Sequence, residues 1–266
     1  MRDAPGRRVG PFFLLVTALA LPLWAIGALV GGELMPGLPL AALQFVVPVI
    51  AASLLVYRRE GRAALGAFLR RALDARRVKD PAWWLVAALL HPLLWTLSWL
   101  VMDALGRPLP PLQVPLASLP VLAAAFLVAG LAEELGWMGY AYEPLERRWG
   151  ALRTSLVLGA FWAAWHVVPL LTGDRQASWI AWWALGTVAM RVLHVWLFEN
   201  TGLSVLAQAV LHGSFNLSWQ LFPVRGSAYD PAVLSPLIAL AAVTVVALSG
   251  AGLRRRAWGR PGAARG

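Results

Sequence analysis

The chain has 266 residues, 59% of them hydrophobic and only 14% charged, against about 25% charged in an average soluble domain. Mean hydropathy is +0.66, and apolar runs of about twenty residues recur along the chain, which excludes a soluble enzyme, a disordered tail and a nucleic-acid module. The net charge of +10 then reads as basic loops that meet anionic headgroups. With no cysteine, disulfide and thiolate chemistry are excluded.

The first apolar run is Pro11 to Gly31, behind Arg2, Arg7 and Arg8. It has the charge layout of a signal peptide but exceeds the usual ~7–15 residue core of one, so a retained helix is expected. Further runs follow at Leu38–Tyr57, Trp83–Leu105, Val114–Met138, Leu152–Thr172, Trp179–Phe198, Leu203–Phe222 and Val233–Leu253. The expected fold is therefore all-α, a polytopic bundle of about eight membrane helices in one domain, residues 1–266. Eight spans put both termini on one side. That side then carries 19 basic residues: Arg2, Arg7, Arg8, Arg58, Arg59, Arg62, Arg70, Arg71, Arg76, Arg77, Lys79, Arg147, Arg148, Arg153, Arg254, Arg255, Arg256, Arg260 and Arg265. The other side carries 3: Arg107, Arg175 and Arg225. Basic loops stay cytoplasmic, so both termini are expected in the cytoplasm of a plasma-membrane protein. Segment Arg59–Asp80 spaces Leu65, Phe68, Leu69 and Leu73 helically among basic residues, the pattern of a helix lying on the inner leaflet or of a solvated cytoplasmic connector.

Ionisable groups inside spans cost about 2.5–3.5 kcal/mol each on insertion scales, so each is a candidate for function. Asp103 and Glu199 sit near span ends and read as anchors. His91 precedes Pro92 and reads as a partner for a carbonyl that the proline frees. Arg191 and His194 share a face of the sixth span, either toward a site or toward Glu199. The remaining residues are different in kind. Glu133 and Glu134 lie in the fourth span, His166 in the fifth, and His212 and Asn216 in the seventh, four apart and so on one helix face. Successive Glu133 and Glu134 point about 100° apart, so one carboxylate can meet the histidines while the other turns to a neighbouring helix. A carboxylate, two imidazoles and an amide can activate a water and hold an oxyanion. Glu133, His166 and His212 are equally a donor set for a divalent metal such as zinc, with a position left for water.

Three short motifs carry a resemblance. Glu133-Glu134-Leu135-Gly136-Trp137-Met138, Trp162-Ala163-Ala164-Trp165-His166 and His212-Gly213-Ser214-Phe215-Asn216 are similar to the Glu-Glu-x-x-x-Arg, Phe-x-x-x-His and His-x-x-x-Asn/Asp motifs of the CPBP intramembrane protease family. That family includes the type II CAAX prenyl endopeptidases. The likeness covers roughly residues 130 to 220, within a core of 114–222. It implies a metalloprotease-like endopeptidase that cuts a membrane-associated, prenylated or leader peptide, with Glu133, Glu134, His166, His212 and Asn216 in the site. Membrane lipids and the peptide would be its partners, and nucleic acid would not. Two positions depart from the motifs. Trp162 stands for Phe. Met138 stands for Arg and removes the cation one turn after Glu134, which leaves Glu134 to find Arg191 or a histidine, or to hold its proton. Near the cytoplasmic edge, a long basic side chain at 138 would be expected to reach headgroups. The loss of that Arg favours a rival reading, a non-catalytic scaffold or immunity factor. A proton-coupled transporter is a second rival, for which the chain has neither an inverted repeat nor matched broken spans.

Overall fold

The computed structural model describes residues 8–35, 38–111, 114–172 and 175–254. Arg2, Arg7, Arg255, Arg256, Arg260 and Arg265 of the charge argument lie outside them. Helices, most of them apolar, account for most of the described chain. They are α1 (Val9–Val30), α2 (Val47–Leu69), α3 (Ala82–Ala104), α4 (Leu119–Gly136), α5 (Glu143–Trp149), α6 (Ala151–Thr172), α7 (Ala177–Asn200), α8 (Val205–Leu221) and α9 (Pro231–Ser249). A two-stranded antiparallel hairpin, Glu33–Met35 with Leu38–Pro39, follows α1. Seven helical stretches are long and apolar enough to cross a membrane by length and composition. The eighth, α8, has 17 residues, at the short end of the spanning range, and lies packed among α3, α4 and α7. The protein is a polytopic helical bundle of the expected size.

Boundaries shift where proline and glycine dictate. The fourth span starts at Leu119 rather than Val114, because Pro120 suits a first turn and Pro115 precedes it in a turn. It then runs without a break through a π-helical turn, Trp137–Tyr142, into α5. The last span stops at Ser249, before Gly250 at φ 73°. The second outlasts its apolar run, bends at Gly61 and ends at Leu69. This end does not simply lie on a leaflet. Phe68 is buried in the bundle, while Leu69 and Leu73 are exposed. Arg71 reaches in to donate to the carbonyls of Gly139 (2.7 Å) and Leu203 (3.2 Å).

In lipid the usual inside-out logic weakens, and helices join by close packing of small residues. Two contacts place the site. A Cβ at Gly130 would lie 2.9 Å from the Ala209 carbonyl oxygen, so α4 meets α8 backbone to backbone. A Cβ at Gly136 would lie 2.5 Å from the Pro48 side chain and 2.7 Å from its backbone, which fixes α4 against α2. The bundle exterior is apolar, with Leu14, Leu29, Leu85, Leu93, Val121 and Leu240 exposed. Its interior holds the polar residues Gln44, His91, Glu133, Glu134, Arg191, His194, Gln208 and His212.

The connections gather at two ends. At one, Asp74 accepts from Ser204 Oγ and the amides of Val205 and Leu206, and so caps α8 from the α2–α3 connection. Arg254 pairs with Glu199, and Leu152 N–H donates to the Ala251 carbonyl, so this end also holds the basic α5–α6 junction. At the other end Arg107 pairs with Asp230.

Candidate active site

Glu133 and Glu134 fill the last turn of α4, immediately before the π-helical turn. Wide turns of this kind recur where a helix must re-aim side chains. The two carboxylates part as the helix geometry requires. Glu133, 5% exposed, accepts at Oε2 from two indoles: Trp162 Nε1 on α6 at 2.8 Å and Trp137 Nε1 at 3.2 Å. Its Oε1 is left free of these donors and stands 3.9 Å from His212 Nε2. Glu134 turns the other way. Arg191 Nη1, from α7, lies 3.0 and 2.9 Å from its two oxygens. Its Oε1 also accepts from His212 Nδ1 at 2.9 Å. Neither Glu134 nor Arg191 has any exposed surface.

Because an ionised carboxylate only accepts, His212 carries its proton on Nδ1, and Nε2 is the atom that faces Glu133. His166 follows the same logic. Its Nδ1 lies 2.8 Å from the Trp162 carbonyl, an acceptor, so Nε2 is its basic atom. The Trp162 ring lies edge-on to both imidazoles, with centroids 5.2 Å from His166 and 5.4 Å from His212. The Arg191 guanidinium sits 4.4 Å from the Trp162 ring centroid, within cation–π range. Asn216 is half-buried on α8, one turn beyond His212.

The bundle therefore brings Glu133, Glu134 and His212 together directly, and joins His166 to them through Trp162. The trio offered for a divalent metal does not close into a coordination shell. The atoms left without a hydrogen bond are His166 Nε2, His212 Nε2 and Glu133 Oε1, since each Nδ1 bonds an oxygen and Glu133 Oε2 takes both indoles. Among the described residues no group of three His, Asp or Glu side chains is placed to hold an ion.

Three readings change in the structure, and one open choice, that of the Arg191 partner, closes. His91 does not serve a carbonyl freed by Pro92. Its Nδ1 bonds the Leu211 carbonyl on α8 at 2.9 Å. Arg191 serves Glu134 rather than Glu199, which is held by Tyr142 Oη (2.5 Å) and Arg254 Nε (2.7 Å). Trp162 is more than an aromatic stand-in for Phe, since its N–H is a donor to Glu133. Met138 is fully buried in the core, so an arginine there would not reach headgroups. His194 stands 3.7 Å from Glu134 Oε1 and has no hydrogen bond at either ring nitrogen. Gln208 was not singled out by its sequence context. It lies one turn before His212, fully buried, with both amide atoms unpartnered, and the i, i−4 spacing from His212 was the available signal.

Residues 115–218 match the family model described as type II CAAX prenyl endopeptidase Rce1-like. A curated relative, CAAX prenyl protease 2 of Methanococcus maripaludis, is 28% identical over 119 residues. That alignment covers 42% of this chain and 42% of the relative, so well under half of the relative's length is matched. Residues 115–218, which carry all three motifs, are thus similar to the type II CAAX prenyl endopeptidases that the motifs resemble.

Proposed function

We propose that the chain is an intramembrane endopeptidase that hydrolyses a peptide bond in a membrane-associated substrate, a prenylated C-terminus or a leader peptide. The observation that carries the reading is Glu133. It is a carboxylate at 5% exposure, oriented by two neutral indoles, with a free oxygen 3.9 Å from an imidazole nitrogen. Burial of a carboxylate without a cation is costly, and general-base chemistry is a use that justifies it.

In the proposed reaction a water enters beside Glu133 Oε1 and gives a proton to it, with His166 Nε2 as a second acceptor. The hydroxide attacks the scissile carbonyl. The oxyanion is met by the Asn216 amide N–H₂ and by His212 when Nε2 also carries a proton. The proton taken from water passes to the leaving amine, which completes hydrolysis. Glu134 touches no reacting atom and orients His212.

The test is cleavage by membranes or proteoliposomes that contain the intact chain or Glu133→Gln, with membrane peptides from both compared by mass spectrometry. Peptides released only by the intact chain support the reading and also name the substrate. Identical peptide profiles in the presence of equal amounts of inserted protein would overturn it.

A further inference from the structure

Arg191 lies outside all three motifs, on α7, yet it touches both arms of the site. Its Nη1 holds both oxygens of Glu134 (3.0 and 2.9 Å), and Glu134 Oε1 accepts from His212 Nδ1 (2.9 Å). Its guanidinium faces the Trp162 ring (4.4 Å), whose indole donates to Glu133 (2.8 Å). The position that could otherwise supply a cation from α4 itself, one turn after Glu134, is Met138, buried and apolar. We infer that Arg191 is the positioning residue of this site: it keeps Glu134 a pure acceptor, and so fixes the His212 proton on Nδ1 and aims Nε2 at Glu133. The inference rests on the reading of Glu133 and His212 as the reacting pair.

The chemistry follows from what a carboxyl group can do. Ionised, Glu134 offers only lone pairs, and His212 must bring the proton to their shared bond. A carboxylate enclosed in the bundle without its guanidinium takes up a proton from solvent. Its O–H then donates to Nδ1, and the single ring proton of neutral His212 moves to Nε2. The ring gains and loses nothing overall, but the atom facing Glu133 changes from acceptor to donor. His212 can then no longer take up at Nε2 the second proton with which it meets the oxyanion, so it keeps its place in the structure and offers only a neutral donor there.

The chain has 4 histidines, few enough to observe individually. The experiment is nitrogen NMR of the full chain, labelled with ¹⁵N at the histidine rings and held in lipid nanodiscs, with His212 assigned by its loss in His212→Asn. In the parent, His212 should show the N–H at Nδ1. In Arg191→Met the N–H should move to Nε2, and in Arg191→Lys it should stay. If Arg191→Met does not insert, Arg191→Gln, which keeps donors without the charge, should give the same move. Cleavage of a peptide released only by the intact chain in the mass-spectrometric comparison should fall at least about tenfold in kcat for Arg191→Met, the scale of a lost orienting partner, with KM little changed and the Arg191→Lys loss smaller. An Nε2–H tautomer in the parent, or a His212 tautomer that ignores Arg191→Met, would overturn the inference. A parent with the expected tautomer and no peptidase activity would leave the positioning intact and remove the peptidase reading instead.

Discussion

Replacing Glu133 by Gln separates the chemistry of the site from its architecture. The amide is the same size as the carboxylate, and its carbonyl oxygen can still accept from Trp137 and Trp162, whose N–H groups lie 3.2 and 2.8 Å from Glu133 Oε2. Hydrogen bonds to a charged group are worth ~1.5–3 kcal/mol and neutral ones ~0.5–1.5, so two of them weaken by a few kcal/mol at most. Removing a buried charge offsets that loss, because its desolvation is no longer required. The net change in stability should be on the order of 1 kcal/mol. The change in rate is far larger. A positioned general base contributes ~10²–10⁴-fold, which is about 2.7–5.4 kcal/mol of barrier at 1.36 kcal/mol per decade. Glu133→Asp should fall between, since it keeps the base but withdraws it by one methylene, and a misplacement on the order of 1 Å costs about 10²-fold. The assay is turnover of the identified peptide in proteoliposomes at matched protein content, with thermal melting in parallel. Parent-like turnover by Glu133→Gln would refute the assignment of the base.

Three other expectations follow from the same geometry. Trp162→Phe, which supplies the motif's own residue, removes the 2.8 Å donor to Glu133 and the ring that faces Arg191; it should reduce kcat by about tenfold, the worth of one charge-assisted bond of ~1.5 kcal/mol, and unchanged kinetics would show that Trp137 alone positions the carboxylate. Met138→Arg places a second cation beside Glu134 at a fully buried position; an unpaired buried charge costs ~3–5 kcal/mol, so the protein should melt earlier or insert poorly, and a fully active, normally stable variant would show that the π-helical turn opens to headgroups. Reporter fusions after Gly31 and after Gly266 should land on opposite sides of the membrane, with the latter cytoplasmic, since 19 basic residues share that side; fusions on the same side would refute the topology.

The spans were legible because hydropathy over twenty residues overwhelms local detail, and only their ends moved, at Val47, Leu69, Pro120 and Gly250. The partition of Glu133 from Glu134 was also legible, because a helix turns consecutive side chains apart. The choice of partner was not. Nothing in the spacing of Arg191 distinguishes a bond to Glu134 from one to Glu199, which lies eight residues on in the same helix. That choice depends on how α7 packs against α4 and α6. The role of Trp162 was hidden for a related reason: in sequence an indole reads as an apolar ring, and its single donor gains meaning only when a carboxylate from another helix arrives at 2.8 Å. His91 was misread because Pro92 suggested a local partner, while the close approach of α8 offered the Leu211 carbonyl.

Met138 bears on whether the site is a working one or a relic. Read along the chain, the missing cation after Glu134 favours a scaffold that has lost its chemistry. Charge is balanced in space, however, and Arg191 meets both Glu134 oxygens from α7 at 3.0 and 2.9 Å. The pair itself is poor support for the fold, since well-packed apolar residues in place of a buried ion pair are often neutral or stabilising by 1–4 kcal/mol. Glu133 is a still heavier burden: it has no arginine or lysine partner among the described residues, only two neutral indoles and an imidazole nitrogen at 3.9 Å. A helical scaffold has no use for a carboxylate kept in that state. An endopeptidase of the proposed kind does, because the free oxygen that destabilises the resting bundle is the one that would take the proton from water.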